Sequence, residues 1–245
     1  MHLLLCVLVA HAVNEAGSAS TLNTGTFLDT LKLQRNNVVK ASVRGITILG
    51  REIFIVHEWS SQVNAYDVNN FTSFRDITIH SSKHHSAIVA SVRHNCLYIS
   101  DIGQSVIYQY NLENNIFSKW SVGGDCYGLS LTAASNLLVT MYNDKQIKEF
   151  TLDGQLIRVI NLDTRIQCPW HSVQYSDDRI VVSDNGRPRS EIHQVCMIDM
   201  NGRIIRSYTG GRGSGVGQLN HPHDIQVDTH GHILIADTHN HRVVL

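Results

Sequence analysis

The sequence lacks several features that would assign it quickly to a functional class. No two of its five cysteines form a Cys-x-x-Cys pair, so neither a zinc finger nor a thioredoxin-type redox pair is visible. Basic and acidic residues nearly balance, with 20 Lys and Arg against 21 Asp and Glu and a net charge of −1. This balance does not predict binding to DNA or attraction to anionic lipid.

Two motifs of enzyme chemistry are also missing. The stretch GGRGSGVG at 210–217 is rich in glycine, but it lacks the Gly-Lys-Ser/Thr of a phosphate-binding loop and precedes a strand pattern instead of a helix. No serine lies in a nucleophile elbow. The glycine stretch is therefore interpreted as a loop between structural units.

No membrane span is predicted at the start of the chain, because the apolar run from Leu3 to Ala10 is far shorter than the ~20 residues required. We interpret residues 1–20 as an apolar leader, and a signal peptide is one reading of it. No Lys or Arg precedes the run, which favours a cytoplasmic protein over a secreted one. The scattered cysteines favour small core residues in a reducing compartment, with disulfide pairing as the alternative.

What the sequence does contain is a repeat over residues 41–245. Each unit opens with a short strand pattern, turns at a dipeptide such as His230-Gly231, and continues with a second apolar run. A third and a fourth run follow, separated by turn pairs such as Asn201-Gly202, since Asn and Gly adopt positive φ at low cost. Corresponding first-strand positions recur every 41 to 52 residues, at Gly45, Ala87, Gly128, Ser172 and Asp224.

Four-stranded antiparallel units of this period predict an all-β fold, a β-propeller with four complete blades and a partial fifth. No helical periodicity of comparable strength interrupts the repeat. Residues 21–40 are then a linker or a ring-closing strand. Within them, 24–33 alternates enough to pair with Val243 and Val244 of the last unit.

The last unit, GGRGSGVGQLNHPHDIQVDTHGHILIADTHNHRVVL, resembles an NHL repeat in its glycines, Gly-Gln-Leu, Pro, Ala-Asp and Asn-His-Arg-Val. The four earlier units resemble it in strand pattern, with ISD and VSD at the Ala-Asp position. The resemblance implies an NHL-type propeller, usually six-bladed, of which this chain would be a truncated form. It also implies a non-catalytic binding scaffold, since many animal NHL propellers are the substrate-binding part of tripartite-motif ubiquitin ligases. A protein partner is expected, with RNA as an alternative.

The predicted binding face is the end of the propeller where each first strand begins. The residue before each matched first-strand position is expected at the mouth of the channel: Arg44, Ser86, Tyr127, His171 and His223. Trp170 adjoins this set. The long hairpin 184–193 carries Arg187 and Arg189 at the same end and is a candidate partner contact.

Three His-x-His pairs near the end of the sequence raise the question of a metal. Blade geometry places His230 and His232 at the opposite end from the other two pairs, ~16 Å away, so one ion cannot gather all six imidazoles. We therefore expect no cofactor. The alternative function is a metal-dependent lyase or lactonase-like enzyme, because CPWHSV and HPHDI resemble the Pro-His segments that hold zinc in the peptidylglycine amidating lyase. His171 and His223 would then hold Zn or Ca.

Overall fold

A computed structural model describes residues 43–79, 84–187 and 190–245. This part of the chain contains nineteen strands and a single turn of 3-10 helix, Thr238–Asn240. The strands of the first two blades are β1 Val43–Leu49, β2 Glu52–His57, β3 Gln62–Asp67, β4 Ser73–Thr78, β5 His85–Ser91, β6 Cys96–Asp101, β7 Val106–Asn111 and β8 Phe117–Ser121. Those of the third and fourth are β9 Cys126–Leu131, β10 Leu137–Met141, β11 Gln146–Phe150, β12 Leu156–Asn161, β13 Pro169–Ser176, β14 Arg179–Asp184, β15 Gln194–Asp199 and β16 Ile204–Tyr208. The fifth blade contains β17 Pro222–Val227, β18 Ile233–Asp237 and β19 Arg242–Val244.

The strands form five antiparallel sheets, each in sequence order, so the predicted all-β propeller fold is confirmed. Four sheets have four described strands and the last has three. The first strand of each blade packs beside the first strand of the next, from β1 through β5, β9 and β13 to β17. Within the described residues, β1 and β17 do not pack extensively against each other. The leader 1–20 and the predicted closing segment 24–33 lie outside the described residues.

The apolar core lies between neighbouring blades. In β10, Leu137 and Val139 pack against blade 2, whereas Leu138 packs against blade 4. Because successive side chains of a strand point to opposite faces, a strand enclosed by two blades must be apolar at consecutive positions. Each such Leu, Ile or Val stabilises the fold by about 1.5–3 kcal/mol when fully buried. This explains the continuous second runs of the sequence repeat.

The four described cysteines are buried and unpaired, which agrees with their interpretation as small core residues. Burial raises the pKa of Cys126 and of Cys196 to about 12, so neither thiol forms an appreciable thiolate at neutral pH. Across the described ranges, no helix combines the length and hydropathy needed to cross a bilayer.

The first strand of every blade is irregular close to where it begins. Its pairing with the second strand skips at least one residue there, which makes a β-bulge, a feature that redirects side chains. The bulges contain Arg44, Ser86, Tyr127, Trp170 and His223.

The bulges correct one prediction in blade 4. Pro169 pairs with Asp184 and His171 pairs with Ser183, so the extra residue is Trp170. The predicted equivalence of His171 with Tyr127 was therefore wrong by one residue. Trp170 occupies the mouth position, and His171 occupies the next position, which corresponds to Gly128. A single-residue bulge shifts which side chain faces the channel without changing the strand pattern.

Candidate binding face at the channel mouth

Seven rings from three consecutive blades meet at the end of the propeller where the first strands begin. The indole of Trp170 stacks on the imidazole of His223, with ring centroids 4.4 Å apart and planes 10° from parallel. Trp170 also contacts Tyr127, whose ring centroid lies 4.7 Å from that of Trp170 and 4.7 Å from that of Tyr142. We call the set the mouth cluster: Tyr127, Tyr142, Trp170, His193, His221, His223 and His239.

The imidazole half of the mouth cluster continues from His223 around His221. The ring of His221 lies 4.0 Å from His239 and 4.7 Å from His193. The His193 ring is fixed, because its Nδ1 accepts a 2.8 Å hydrogen bond from the backbone N–H of His221. The 3-10 turn after β18 folds His239 inward, to 6.3 Å from the His223 ring.

His221 was left out of the predicted face, and three further members were also missed: Tyr142, His193 and His239. All three lie in or beside the connection between second and third strands, which reaches the same end as the first-strand starts. The strand order could have indicated them, because residues just after a second strand or just before a third strand lie around the mouth. Identifying them required considering these turns together with the first strands.

Three imidazoles of the mouth cluster have lowered pKa values: His193, His221 and His223. Burial, followed by the neighbouring His239, lowers the pKa of His221 to about 4. Burial also lowers the pKa of His223 to about 3, with further contributions from His221 and Arg44. Burial, then the charge of Arg212, lowers the pKa of His193. At neutral pH these three imidazoles are therefore uncharged.

Charged side chains of both signs lie beside the mouth cluster, such as Asp125 next to Tyr127 and Arg212 next to His193. Arg44 from blade 1 lies close enough to influence both Tyr127 and His223, and it forms an ion pair with Glu58. Arg187 is exposed on the long hairpin of blade 4, while Arg189 lies outside the described residues. Ser86, the predicted mouth residue of blade 2, is buried, with 6% of its surface accessible.

His171 has a different environment from the mouth cluster. Its Nδ1 lies 2.9 Å from Oδ1 of Asp224, and its Nε2 lies 3.0 Å from the backbone oxygen of Leu129. Burial disfavours the charged imidazole, but Asp224 and the hydrogen bonds outweigh burial and raise the pKa of His171. His171 therefore links blades 3, 4 and 5. The two candidate metal ligands, His171 and His223, have separate partners.

The Ala-Asp and Asn-His-Arg-Val residues of the last blade hold its loop in place. The buried carboxylate of Asp237 accepts hydrogen bonds from the backbone N–H of Asn220 at 2.6 Å and from Asn240 and Arg242 at 2.7 Å each. Arg242 also donates to backbone oxygens of the glycine-rich loop, those of Ser214, Gly215 and Gln218. These residues position the segment that leads to His221 and His223, so the motif is structural.

The fold and this network define a β-propeller with an NHL-type last blade. A family model of the NHL repeat matches residues 219–244, which confirms the resemblance read from the sequence, and the propeller fold is consistent with an NHL-repeat family. No curated protein matches the chain in sequence.

Solved structures of similar fold share little sequence with this chain. Hydrazine synthase of Kuenenia stuttgartiensis has a TM-score of 0.64 at 14% identity, covering 82% of this chain and 58% of that one. Streptogramin B lyase has 0.63 at 13%, covering 84% and 66%. Virginiamycin B lyase of Staphylococcus aureus has 0.60 at 14%, covering 80% and 63%. This chain thus spans less than two thirds of each, and the likeness shows the fold alone.

Proposed function

We propose that the protein is a non-catalytic binding module that recognises a protein partner through the mouth cluster and the arginines around it. The observation that carries the proposal is the continuous cluster of rings that three blades build at one end, all of them at least partly exposed except the buried His193. Rigid blades hold these rings in place, so binding them costs little conformational entropy. Trp, Tyr and Arg are the residues that dominate protein interfaces when they lie centrally.

The charge at this face favours a protein over RNA. Arg44 is paired with Glu58, so its charge is partly neutralised. Arg212 is exposed and lies close enough to influence His193 and His221, and Arg187 is exposed on the long hairpin of blade 4; both suit an acidic segment of a protein. Stacking of bases on Trp170 and Tyr127 is the RNA alternative, and it would bring a steep dependence on salt.

The test compares two tryptophans at the same end of the propeller. Trp59 is 62% exposed in blade 1 and lies outside the mouth cluster, which makes Trp59→Ala the matched control. Proteins captured by the intact chain should be captured at least tenfold less by Trp170→Ala and equally well by Trp59→Ala. Equal capture by both variants contradicts the proposal. Loss of capture after ribonuclease treatment would show that RNA is the ligand.

Charge reversal at Arg187 and Arg189 tests the surrounding cations. It should weaken capture at low salt, because surface charges act mainly on the rate of association. The more specific form of the proposal is substrate recognition within a ubiquitin-ligase assembly, which rests on the NHL repeat. It predicts that captured proteins are ubiquitinated. The four buried, unpaired cysteines support a cytoplasmic location as part of the same proposal.

The second candidate is an enzyme that works at the mouth. Neutral imidazoles can act as bases or metal ligands, and a propeller of similar fold, virginiamycin B lyase, is described as catalytically inactive in its H270A form with quinupristin. His221 and His223 would be the reactive groups here. Mass spectrometry of quinupristin incubated with this protein tests the candidate. A changed product that disappears in His221→Asn would favour the enzyme over the binding module.

A further inference from the structure

The turn between β17 and β18 gathers two imidazoles and a carboxylate at the end of the propeller opposite the mouth cluster. One donor atom each from Asp228, His230 and His232 lie within 4.8 Å of one another. The two histidine side chains are 75% and 58% exposed, so a hydrated ion can reach them. We propose that this turn is a binding site for a divalent transition-metal ion of the Zn²⁺, Ni²⁺ or Cu²⁺ class.

The backbone of the turn fixes the carboxylate. Asp228 Oδ1 accepts hydrogen bonds of 2.8 Å from the N–H groups of both His230 and His232. The turn itself is closed by hydrogen bonds from Gly231 N–H to the Asp228 oxygen and from Asp228 N–H to the His232 oxygen. Gly231 has φ +82°, a conformation that a side chain would strain. The three donors are therefore held close together before any ion binds.

The distances suit a first-row metal. Asp228 Oδ2 lies 2.8 Å from Nδ1 of His232 and 3.9 Å from Nδ1 of His230. Metal–ligand bonds of about 2.0–2.2 Å in a tetrahedral site place donor atoms about 3.3 Å apart, between these two values. An ion would replace the contact between His232 and Asp228 with two bonds to itself. Imidazole ligands favour Zn²⁺, Ni²⁺ and Cu²⁺ over Mg²⁺ and Ca²⁺.

The site is independent of the mouth cluster. The length of a first strand separates the turn from the mouth cluster, so an ion bound at the turn need not affect partner capture. The corresponding turn of blade 2 carries one histidine, His94, which is exposed. His94→Asn is therefore a matched control that removes an imidazole from an equivalent turn without touching the proposed donors.

Calorimetric titration of Ni²⁺ and Zn²⁺ into protein without a histidine tag tests the proposal. We expect one ion per chain, with binding at least tenfold weaker in the double variant His230→Asn and His232→Asn. The single control His94→Asn and the double control His221→Asn and His239→Asn should bind as the intact chain does. The absorption spectrum of bound Co²⁺ should change in the same variants.

Three outcomes would overturn the site. They are an intact chain that binds no ion, a turn variant that binds as tightly as the intact chain, and binding that disappears in the mouth control instead. Thermal unfolding without metal checks that the turn variant is folded. If it is not, the single change His230→Gln, at the most exposed donor, gives the same comparison. Preference for Ca²⁺ or Mg²⁺ over Ni²⁺ would contradict the assigned class of ion.

Discussion

The two ends of the propeller are built in different ways from the same strands. At the end opposite the mouth, turns are closed by local hydrogen bonds, as where Asp199 Oδ1 accepts from the N–H groups of Asn201 and Arg203. At the mouth, contacts join residues far apart in sequence, such as Tyr127, Trp170 and His223. Turns at the opposite end close their own hairpins and also touch the next blade, as where Gly202 O accepts from Asp163 N–H, whereas the mouth cluster is itself built from several blades. A binding surface of this kind forms only when the neighbouring blades are packed against one another.

The largest expected effect is a difference in stability loss between substitutions of two aspartates, one at each end of the propeller. Asp237 is fully buried and accepts from Asn220, Asn240 and Arg242. Asp237→Ala should lower the free energy of unfolding by about 3–5 kcal/mol, because it removes the acceptor of three hydrogen-bond donors, those of Asn220, Asn240 and the partly buried Arg242. Asp199→Ala, at a solvated turn, should have a much smaller effect. Denaturant midpoints of the two variants measure the difference, and equal losses would contradict the contrast between the ends.

A second, smaller effect concerns how closely the first strands approach. A Cβ at Gly128 would lie 2.6 Å from the Trp170 backbone oxygen and 2.8 Å from His171. Gly128→Ala should therefore destabilise the protein by about 1–3 kcal/mol through overpacking. Gly45→Ala, where the nearest atom lies at 3.0 Å, should cost less. Thermal unfolding of both variants tests the order, and a larger loss at Gly45 would show that blades 3 and 4 yield more easily than blades 1 and 2.

The mouth should also make stability depend on pH. The lowered pKa values of His221 and His223, about 4 and 3, mean that the unfolded chain takes up protons first as pH falls below 6.5. The stability associated with these two neutral imidazoles is fully present above pH 6.5 and is lost progressively as pH falls from 6.5 to about 3. Removing both imidazoles in His221→Asn and His223→Asn should reduce the fall in Tm across this window by roughly 5 °C. An unchanged slope would mean that these rings are charged in the folded protein.

How far the sequence could predict this molecule differs between the same two ends. Turn chemistry is local, so His230-Gly231 and Asn201-Gly202 marked their hairpins correctly. The mouth depends on register, and a bulge at Trp170 shifts the inward-facing residue by one without altering any strand pattern. The sequence therefore predicted Tyr127 and His223 at the mouth and Trp170 beside them, but it assigned the mouth position of blade 4 to His171.

The group of possible metal donors at the turn 228–232 was not predicted, for a different physical reason. The three histidine pairs cannot share one ion, because they lie at two ends of the propeller. The turn itself also contains a carboxylate, Asp228, two residues before His230, and this combination was not predicted. The Asp228 side chain folds back over its own turn through hydrogen bonds to His230 and His232, a conformation that residue spacing alone does not specify.

Hydrogen exchange of the protein with a captured partner bound tests the central claim most directly. If the mouth cluster is the binding face, amide protection should increase around Tyr127, Trp170 and the segment 220–223. Exchange at the turn 228–232 and along the outer strand β12 should stay unchanged. Protection confined to those outer sites, with none at the mouth, would contradict the account.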